Sequence, residues 1–460
     1  MYSLEDTISA IATPIGQAGI GIIRISGPLS FEIARKIFNP QGSKVPLQSH
    51  RLYLGHLHNP ATGVMIDEVL LSFMKAPHSY TREDVIEINS HSGYLLLSSI
   101  LQVILDQGAR LARPGEFTLR AFLNGRIDLT QAEGVIDLIN SKSTRGLQLA
   151  SEQIRGSLRE DIESLRQKVI DILSIIEVAI DYPDEVVDIV DIEETVNLVE
   201  ETVIKSIEAL IKAHEDKRIW VDGVKIVIAG RVNAGKSSLL NFLLKDNRAI
   251  VTPVPGTTRD AIESTTTIDG LPICLVDTAG FRDPDSEVEK IGIRLSQEKL
   301  AEADFIIIVV DQNRPLNRDD YHIMNLARGR KALLAINKID LLSRLRQDDK
   351  KALSDFPCVR ISALNGEGID SLKRALVTCL IQNGNDMTTS HAVPNVRHQK
   401  ALQDALRFIQ SALDSMRNDE PLEIIAFNLQ AGLDALGEII GKTSEEEILN
   451  NIFGTFCLGK

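Results

Sequence analysis

The chain has 460 residues, is 43% hydrophobic and 25% charged, and carries a formal net charge of −14. That length holds about three domains, and the composition is that of an ordinary globular protein. The acidic balance excludes generic nucleic-acid binding through a basic surface, so an RNA partner needs a local basic patch or a helper protein. Cys274, Cys358, Cys379 and Cys457 are scattered without a CxxC pair or a disulfide-like framework, which points to a reducing, cytoplasmic compartment. Glu5 and Asp6 stand where a secretory leader would be basic and then apolar. No apolar run approaches the ~20 residues of a membrane span, so no membrane association is expected.

Residues 1–118 alternate strand-like and helix-like segments and predict an α/β or α+β module. Strands are expected over residues 19–25, 51–57, 69–74 and 85–89, and a helix over 94–107, stopped by Gly108. From residue 119 to 217 helix formers dominate. Leucine and isoleucine recur at three- and four-residue steps over 151–179, Pro183 breaks the pattern, and 191–214 is a second long amphipathic stretch. A nucleotide-binding module is expected over 218–380. After a polar linker the chain turns helical again over 396–416, 421–440 and 444–452. The economical reading is one helical domain, 119–217 and 381–460, split by an inserted domain; two independent bundles are the alternative.

The inserted module carries the strongest signal. An apolar strand over 224–229 leads into Gly230-Arg231-Val232-Asn233-Ala234-Gly235-Lys236-Ser237 and then into a helix beginning near Ser238. That order suits a Walker A phosphate loop: glycines let backbone N–H groups turn inward, and the helix N-terminus adds its positive end. Lys236 is placed to reach the β- and γ-phosphates, and the Ser237 hydroxyl to ligate magnesium. Asp277-Thr278-Ala279-Gly280 follows a strand; Asp277 suits magnesium held through water, and the Gly280 amide a γ-phosphate. Asn337-Lys338-Ile339-Asp340 ends another strand, and an ionised Asp340 accepts two hydrogen bonds from the N–H edge of guanine while rejecting adenine. Ser362-Ala363 resembles the loop whose amide touches the guanine oxygen. Each motif alone reads as an ordinary strand-end turn; together, in this order, they read as a Ras-like GTP-binding domain. Phe281 stands where many GTPases place a water-orienting glutamine, so another group must position the water.

Across its whole length the chain resembles the tRNA modification GTPase family, MnmE, also called TrmE. The resemblance is carried by Asp6-Thr7-Ile8, Thr13-Pro14, Gly21-Ile22-Ile23-Arg24-Ile25-Ser26-Gly27, Arg113-Pro114-Gly115-Glu116-Phe117-Thr118, Arg120-Ala121-Phe122-Leu123-Asn124-Gly125, the GTPase motifs, and the terminal Phe453-Gly454-Thr455-Phe456-Cys457-Leu458-Gly459-Lys460. The terminal motif is the most specific, because related RNA-binding GTPases end in different modules. The resemblance implies a multidomain α/β plus α fold: an N-terminal folate-binding-like α+β domain that also dimerises, a discontinuous helical domain, and an inserted Ras-like GTPase domain. It also implies a homodimer that works with a flavoprotein partner, MnmG, as a heterotetramer. Together they build an aminomethyl-type group, carboxymethylaminomethyl, on the wobble uridine of certain tRNAs, with a tetrahydrofolate derivative as one-carbon donor.

Carried over residue by residue, the resemblance places Arg24, Glu87, Arg126 and Lys460 at the folate. Arg126 stands where relatives often carry lysine, and Asn89-Ser90-His91-Ser92-Gly93 is less glycine-rich than the family version. On sequence alone each of these charges reads as a surface ion pair, and only the resemblance assigns it to the folate. GTP is expected at Asn233, Ala234, Gly235, Lys236, Ser237, Ser238, Thr252, Thr257, Thr258, Asp277, Thr278, Ala279, Gly280, Asn337, Lys338, Asp340, Ser362 and Ala363. Ser237 and Thr258 would hold magnesium; Asn233, Thr252, Val254 and Thr257 would hold a potassium ion whose charge replaces an arginine finger. Glu289 matches the family residue that orients the attacking water, although its bland reading is one more acidic residue in a polar stretch. Cys457 has two readings, an inert small hydrophobe or an active-site thiol beside Lys460. Gly459 and Lys460 do not suit a prenylation box. The rival function is an RNA-binding ribosome-assembly GTPase switch; the acidic balance and the lack of a basic C-terminal module count against it.

Overall fold

The computed structural model describes residues 5–16, 18–41, 47–182, 191–221, 223–245, 263–277, 303–380, 394–443 and 446–460. The chain divides into two compact units. One comprises Met1–Ile136, Gln153–Glu208 and Lys400–Lys460; the other comprises Asp137–Glu152 and Ala209–Gln399.

The first unit holds a mostly antiparallel sheet of β1 (Ile8–Ile11), β2 (Gly21–Ser26), β3 (Phe38–Pro40), β4 (Arg51–His58), β5 (Met65–Met74), β6 (Val85–Ser90) and β7 (Arg110–Leu111), in the order β3-β4-β5-β6-β2-β1-β7. Within this sheet only the β1–β7 pairing is parallel among the described strands. Alternation decides the faces. Ile23, Ile25, Leu71, Ile86 and Ile88 are buried against α1 (Ser30–Ile37) and α2 (Tyr94–Asp106). Arg24 and Glu87 lie directly opposite each other across β2 and β6, at the alternate positions of those strands.

Helices α3 (Glu116–Leu123), α4 (Leu129–Asn140), α5 (Thr144–Arg155) and α6 (Ser157–Asp181) follow. The break expected after residue 118 falls inside α3, and the run expected over 151–179 is divided at Gly156, where φ is +100°. Asp191 caps α7 (Ile192–Val199) by accepting from the Glu194 N–H, as a helix start at 191 requires. A π-turn over Glu200–Ile204 then leads into α8 (Lys205–Val221). α13 (Val396–Arg417), α14 (Leu422–Ile440) and α15 (Glu446–Gly454) return the chain to the first unit, whereas most of α5 and α8 falls in the second, whose remaining helices are described below. Leu158, Ile162, Leu165, Val169 and Ile172 form the buried stripe of α6, and Ile425, Leu429, Leu433, Leu436 and Ile440 that of α14. The two helices pack together, and Lys442 pairs with Glu163 at 2.9 Å. Helices on either side of the second unit thus share one core.

The second unit is built on β8 (Val224–Ala229), β9 (Glu263–Ile268), β10 (Leu271–Asp277), β11 (Phe305–Asp311), β12 (Ala332–Asn337) and β13 (Cys358–Arg360), ordered β13-β12-β11-β8-β10-β9. All pairings are parallel except β9–β10. A parallel sheet covered on both faces needs continuous apolar strands, and every residue of β11 is buried. Helices α9 (Lys236–Lys245) and α12 (Ile369–Leu380) contribute to one core; α10 (Arg318–Ala327) and α11 (Gln347–Leu353) contribute to the other. The carboxyl ends of β8, β11, β12 and β13 therefore open at one edge, where ligands bind in open α/β sheets.

In the first unit a knot of charges ties β1, β7 and α3 together. Arg120, 1% exposed, donates to the Asp6 carbonyl at 2.9 Å and pairs with Glu83 at 3.1 Å and Glu116 at 3.3 Å. Arg110 pairs with Asp6 at 2.6 Å and with Glu116 at 2.8 Å. Burial alone would raise the Asp6 and Glu116 carboxyls, but the bonds from the two arginines outweigh it and hold both below their ordinary values. Lowered folded pKa values mean that the unfolded chain binds more protons, so this stabilisation is complete above the usual carboxylate range and is lost as pH falls through the folded values. Arg120→Met leaves carboxylates facing one another and should cost on the order of 3–5 kcal/mol at neutral pH. Urea unfolding followed by hydrogen exchange in β1 measures it, and the gap to wild type should shrink as pH drops below about 4.

Candidate functional site

The phosphate-loop candidate begins where β8 ends. Asn233 has φ +63° and Gly235 φ +101°, the two left-handed residues that turn the loop back into α9. A Cβ on Gly235 would lie 2.1 Å from the Asn337 Nδ2, so only glycine fits that position. Lys236, 8% exposed at the head of α9, donates from Nζ to the carbonyls of Gly230 at 2.8 Å and Arg231 at 3.0 Å. Its cation is folded over its own loop, a position from which it can transfer to an incoming phosphate. Ser237 and Ser238 are exposed in the first turn of the helix.

The second loop begins at the end of β12. The Asn337 side chain is 2% exposed and joins three segments: Nδ2 donates to the Ala234 carbonyl at 2.8 Å, and Oδ1 accepts from the Ala363 N–H at 2.9 Å. Ser362 Oγ lies 2.7 Å from Asp340 Oδ1 and accepts from the Asn365 N–H at 3.3 Å. The carboxylate of Asp340 is thereby held at the mouth of the loop, itself exposed. Lys338, at φ +64°, donates from Nζ to Asp311 Oδ2 at 2.7 Å. Gln312 extends the contact, donating to the carbonyls of Lys338 at 3.2 Å and Leu341 at 2.8 Å.

The first unit gathers a separate group around the end of the chain. Arg24 donates from Nε to Glu87 at 2.8 Å and from Nη1 to the Gly459 carbonyl at 3.0 Å, with its guanidinium 5.6 Å above the Phe117 ring. Phe453 and Phe456 anchor the preceding residues among Leu119, Leu129 and Ala132. Cys457 is exposed between these anchors and the Gly459 seat. Arg126 lies apart from that pair, 5.1 Å above the Tyr80 ring and donating to the Ser79 carbonyl at 3.2 Å; Tyr80 packs in turn against Phe117.

Comparison with known proteins matches residues 129–457 to the MnmE helical domain and residues 7–126 to the GTP-binding protein TrmE N-terminus. The tRNA modification GTPase MnmE of Carboxydothermus hydrogenoformans is 45% identical over 463 residues, covering 99% of this chain and 100% of that protein. The chain belongs to the tRNA modification GTPase MnmE family. The namesake from Thermoanaerobacter pseudethanolicus is 43% identical over 458 residues, spanning 99% of both chains. That of Acetivibrio thermocellus is 43% identical over 465 residues, spanning 100% of both. The solved G domain of the Thermotoga maritima FeoB iron transporter aligns over 34% of this chain and 98% of its own, with 26% identity and a TM-score of 0.26.

Of the residues expected at the nucleotide in this MnmE-family chain, Ala234, Gly235, Asn337, Asp340, Ser362 and Ala363 are joined by direct contacts. Lys338 is bonded to Asp311, a partner that the sequence reading did not name. The signal was a carboxylate closing the wholly apolar run of β11. Thr252, Val254, Thr257, Thr258, Thr278, Ala279, Gly280 and Glu289 lie outside the described residues, and Asp277 is described only as the last residue of β10. Around the end of the chain Arg24 and Glu87 meet, Lys460 follows the Gly459 carbonyl that Arg24 contacts, and Arg126 lies over Tyr80, which packs against the cluster holding Phe117. Arg120 was missed as a structural residue although it opens one of the resemblance motifs.

Gly459 has φ +89°, and a Cβ there would lie 2.6 Å from the Ile11 carbonyl oxygen. Gly459→Ala should therefore unseat the tail while leaving the second unit unchanged. Carboxypeptidase digestion and alkylation of Cys457, followed by peptide mass mapping, should both accelerate several-fold.

Proposed function

We propose that the chain hydrolyses GTP in the modification of tRNA. The carrying observation is the Asn337 bridge, which brings the phosphate loop, the base loop and the Ser362–Ala363 loop to one edge of a parallel sheet. Loop amides and Lys236 bind the phosphates, Asp340 accepts from the guanine edge, and the Ala363 region closes over the base. The positive φ values at Asn233 and Gly235 fit a loop whose N–H groups converge on an anion.

Ser237 and Thr258 are the magnesium ligands in this reading, and Asp277 acts through water. Asn233, Thr252, Val254 and Thr257 would hold a potassium ion, whose positive charge would offset the charge of the phosphates. Glu289 orients the water that attacks. GTPase domains of two copies meet during hydrolysis, and the chain works as a homodimer with the flavoprotein MnmG in the cytoplasm. The modification itself belongs to the first unit, where a tetrahydrofolate derivative would be held by Glu87, Arg24, Arg126 and Lys460. Glu87 supplies an acceptor suited to the N–H groups of a pterin, and its pairing with Arg24 fixes its orientation. When bound, the folate would supply the one-carbon group; Cys457 is the thiol closest in sequence to these residues. No helix among the described residues is long and apolar enough to cross a membrane.

Mass analysis of wobble uridines in cells lacking the protein tests the reading as a whole: loss of the carboxymethylaminomethyl group is expected, and an unchanged spectrum overturns it. Asp340→Asn should exchange guanine preference for xanthine, because the amide offers a donor where a lone pair was needed; an equilibrium titration with both nucleotides decides it. Hydrolysis should be fast in potassium and slow in sodium at matched ionic strength. Asn233→Ala should erase that difference while GTP affinity falls little. Equal wild-type rates in the two salts would remove potassium from the mechanism.

A further inference from the structure

Arg231 is the charged residue of the phosphate loop to which the proposed hydrolysis gives no role. Its side chain is 10% exposed, and its Nη1 donates to the Pro315 carbonyl at 3.1 Å and lies 3.2 Å from Asp320 Oδ2. Asp320, 1% exposed, is also the third residue of α10 and forms a capping box with Asn317. Arg231 Nη2 and Asp320 Oδ1 are both buried without a hydrogen-bond partner, so the pair is withdrawn from solvent. A guanidinium committed in this way is not free to serve as an arginine finger.

The backbone of Arg231 matters as much as its side chain. Its carbonyl accepts from Lys236 Nζ at 3.0 Å and from the Ala234 N–H at 3.2 Å. The segment from Asp311 to Asp320, which Arg231 grips at one end, grips the base loop at the other through Asp311–Lys338 at 2.7 Å. Asn337 closes the ring, returning from the base loop to the Ala234 carbonyl at 2.8 Å. We propose that Arg231 is a positioning residue for GTP hydrolysis, clamping the phosphate loop to the segment that also fixes the base loop. This rests on the reading of the second unit as the GTP site. Loss of the clamp frees the carbonyl that seats Lys236, so the bound nucleotide is held less well while the reacting groups themselves are retained.

The test uses the full chain, measuring release of a fluorescent GDP analogue by stopped flow together with KM and kcat for GTP in potassium buffer. Arg231→Ala should release the analogue about tenfold faster and raise KM to match, with kcat within about threefold of wild type. Asp320→Asn should reproduce this, and the double variant should be no worse than the more severe single one, as expected for one shared contact. Arg231→Lys should recover part of the loss, which a general weakening of the fold would not allow. If Arg231→Ala does not fold, Arg231→Lys and Asp320→Asn carry the same comparison. Release within twofold of wild type for Asp320→Asn and Arg231→Lys, or additive effects in the double variant, overturns the proposal. Failure of the wild-type chain to bind the analogue overturns the GTP reading instead.

Discussion

One buried amide organises the second unit. Asn337 stands at the end of a central parallel strand, and at 2% exposure its donor and acceptor both need protein partners. They find them in different loops, the carbonyl of Ala234 and the N–H of Ala363. The consequences follow in sequence. Ala234 is pinned, position 235 is confined to glycine because a Cβ there would lie 2.1 Å from the amide nitrogen, and α9 begins at Lys236. The position of the lysine ammonium is thus set by an asparagine about 100 residues away, with |i−j| of 103 for the connecting bond. A neutral amide suits this task better than a charge, because each half is satisfied by one backbone group and no countercharge has to be buried with it.

The first unit solves a similar problem with ions. Its β1 is four residues long and β7 only two, too few for the ladder alone to hold that side of the sheet. Arg110 and Arg120 supply the missing restraint by tying Asp6, two residues before β1, to Glu116 in α3 and to Glu83. The two arginines share acceptors in forked geometry, which lysine could not imitate. α3 in turn faces α15, so the same knot orients the surface on which the chain's last residues lie.

Local patterns were legible where local forces dominate. The apolar strand at 224–229, the helix beginning at Tyr94 and the amphipathic stretch from 191 follow from periodicity and turn chemistry within a few residues of themselves. The order of strand, glycine loop and helix exposed the phosphate site for the same reason. What escaped is set by distant partners. β1 reads as four mixed residues because its burial comes from β2 and β7, and β9 is threonine-rich because it is an antiparallel edge strand. The chain break expected near residue 118 lies inside a helix because Arg120 belongs to the ion cluster, and no local pattern reveals a buried arginine. Lys338 shows the same limit at the site. Its motif named the residue, while the carboxylate that holds it lies 27 positions upstream.

The bond from Arg24 to the Gly459 carbonyl spans 435 positions of sequence. A growing chain can complete the sheet of the first unit and the whole parallel sheet of the second before that bond has any partner. The seat of Cys457 can therefore form only once synthesis has passed residue 459. An interrupted translation product would keep a phosphate loop and lack the thiol that the tail presents.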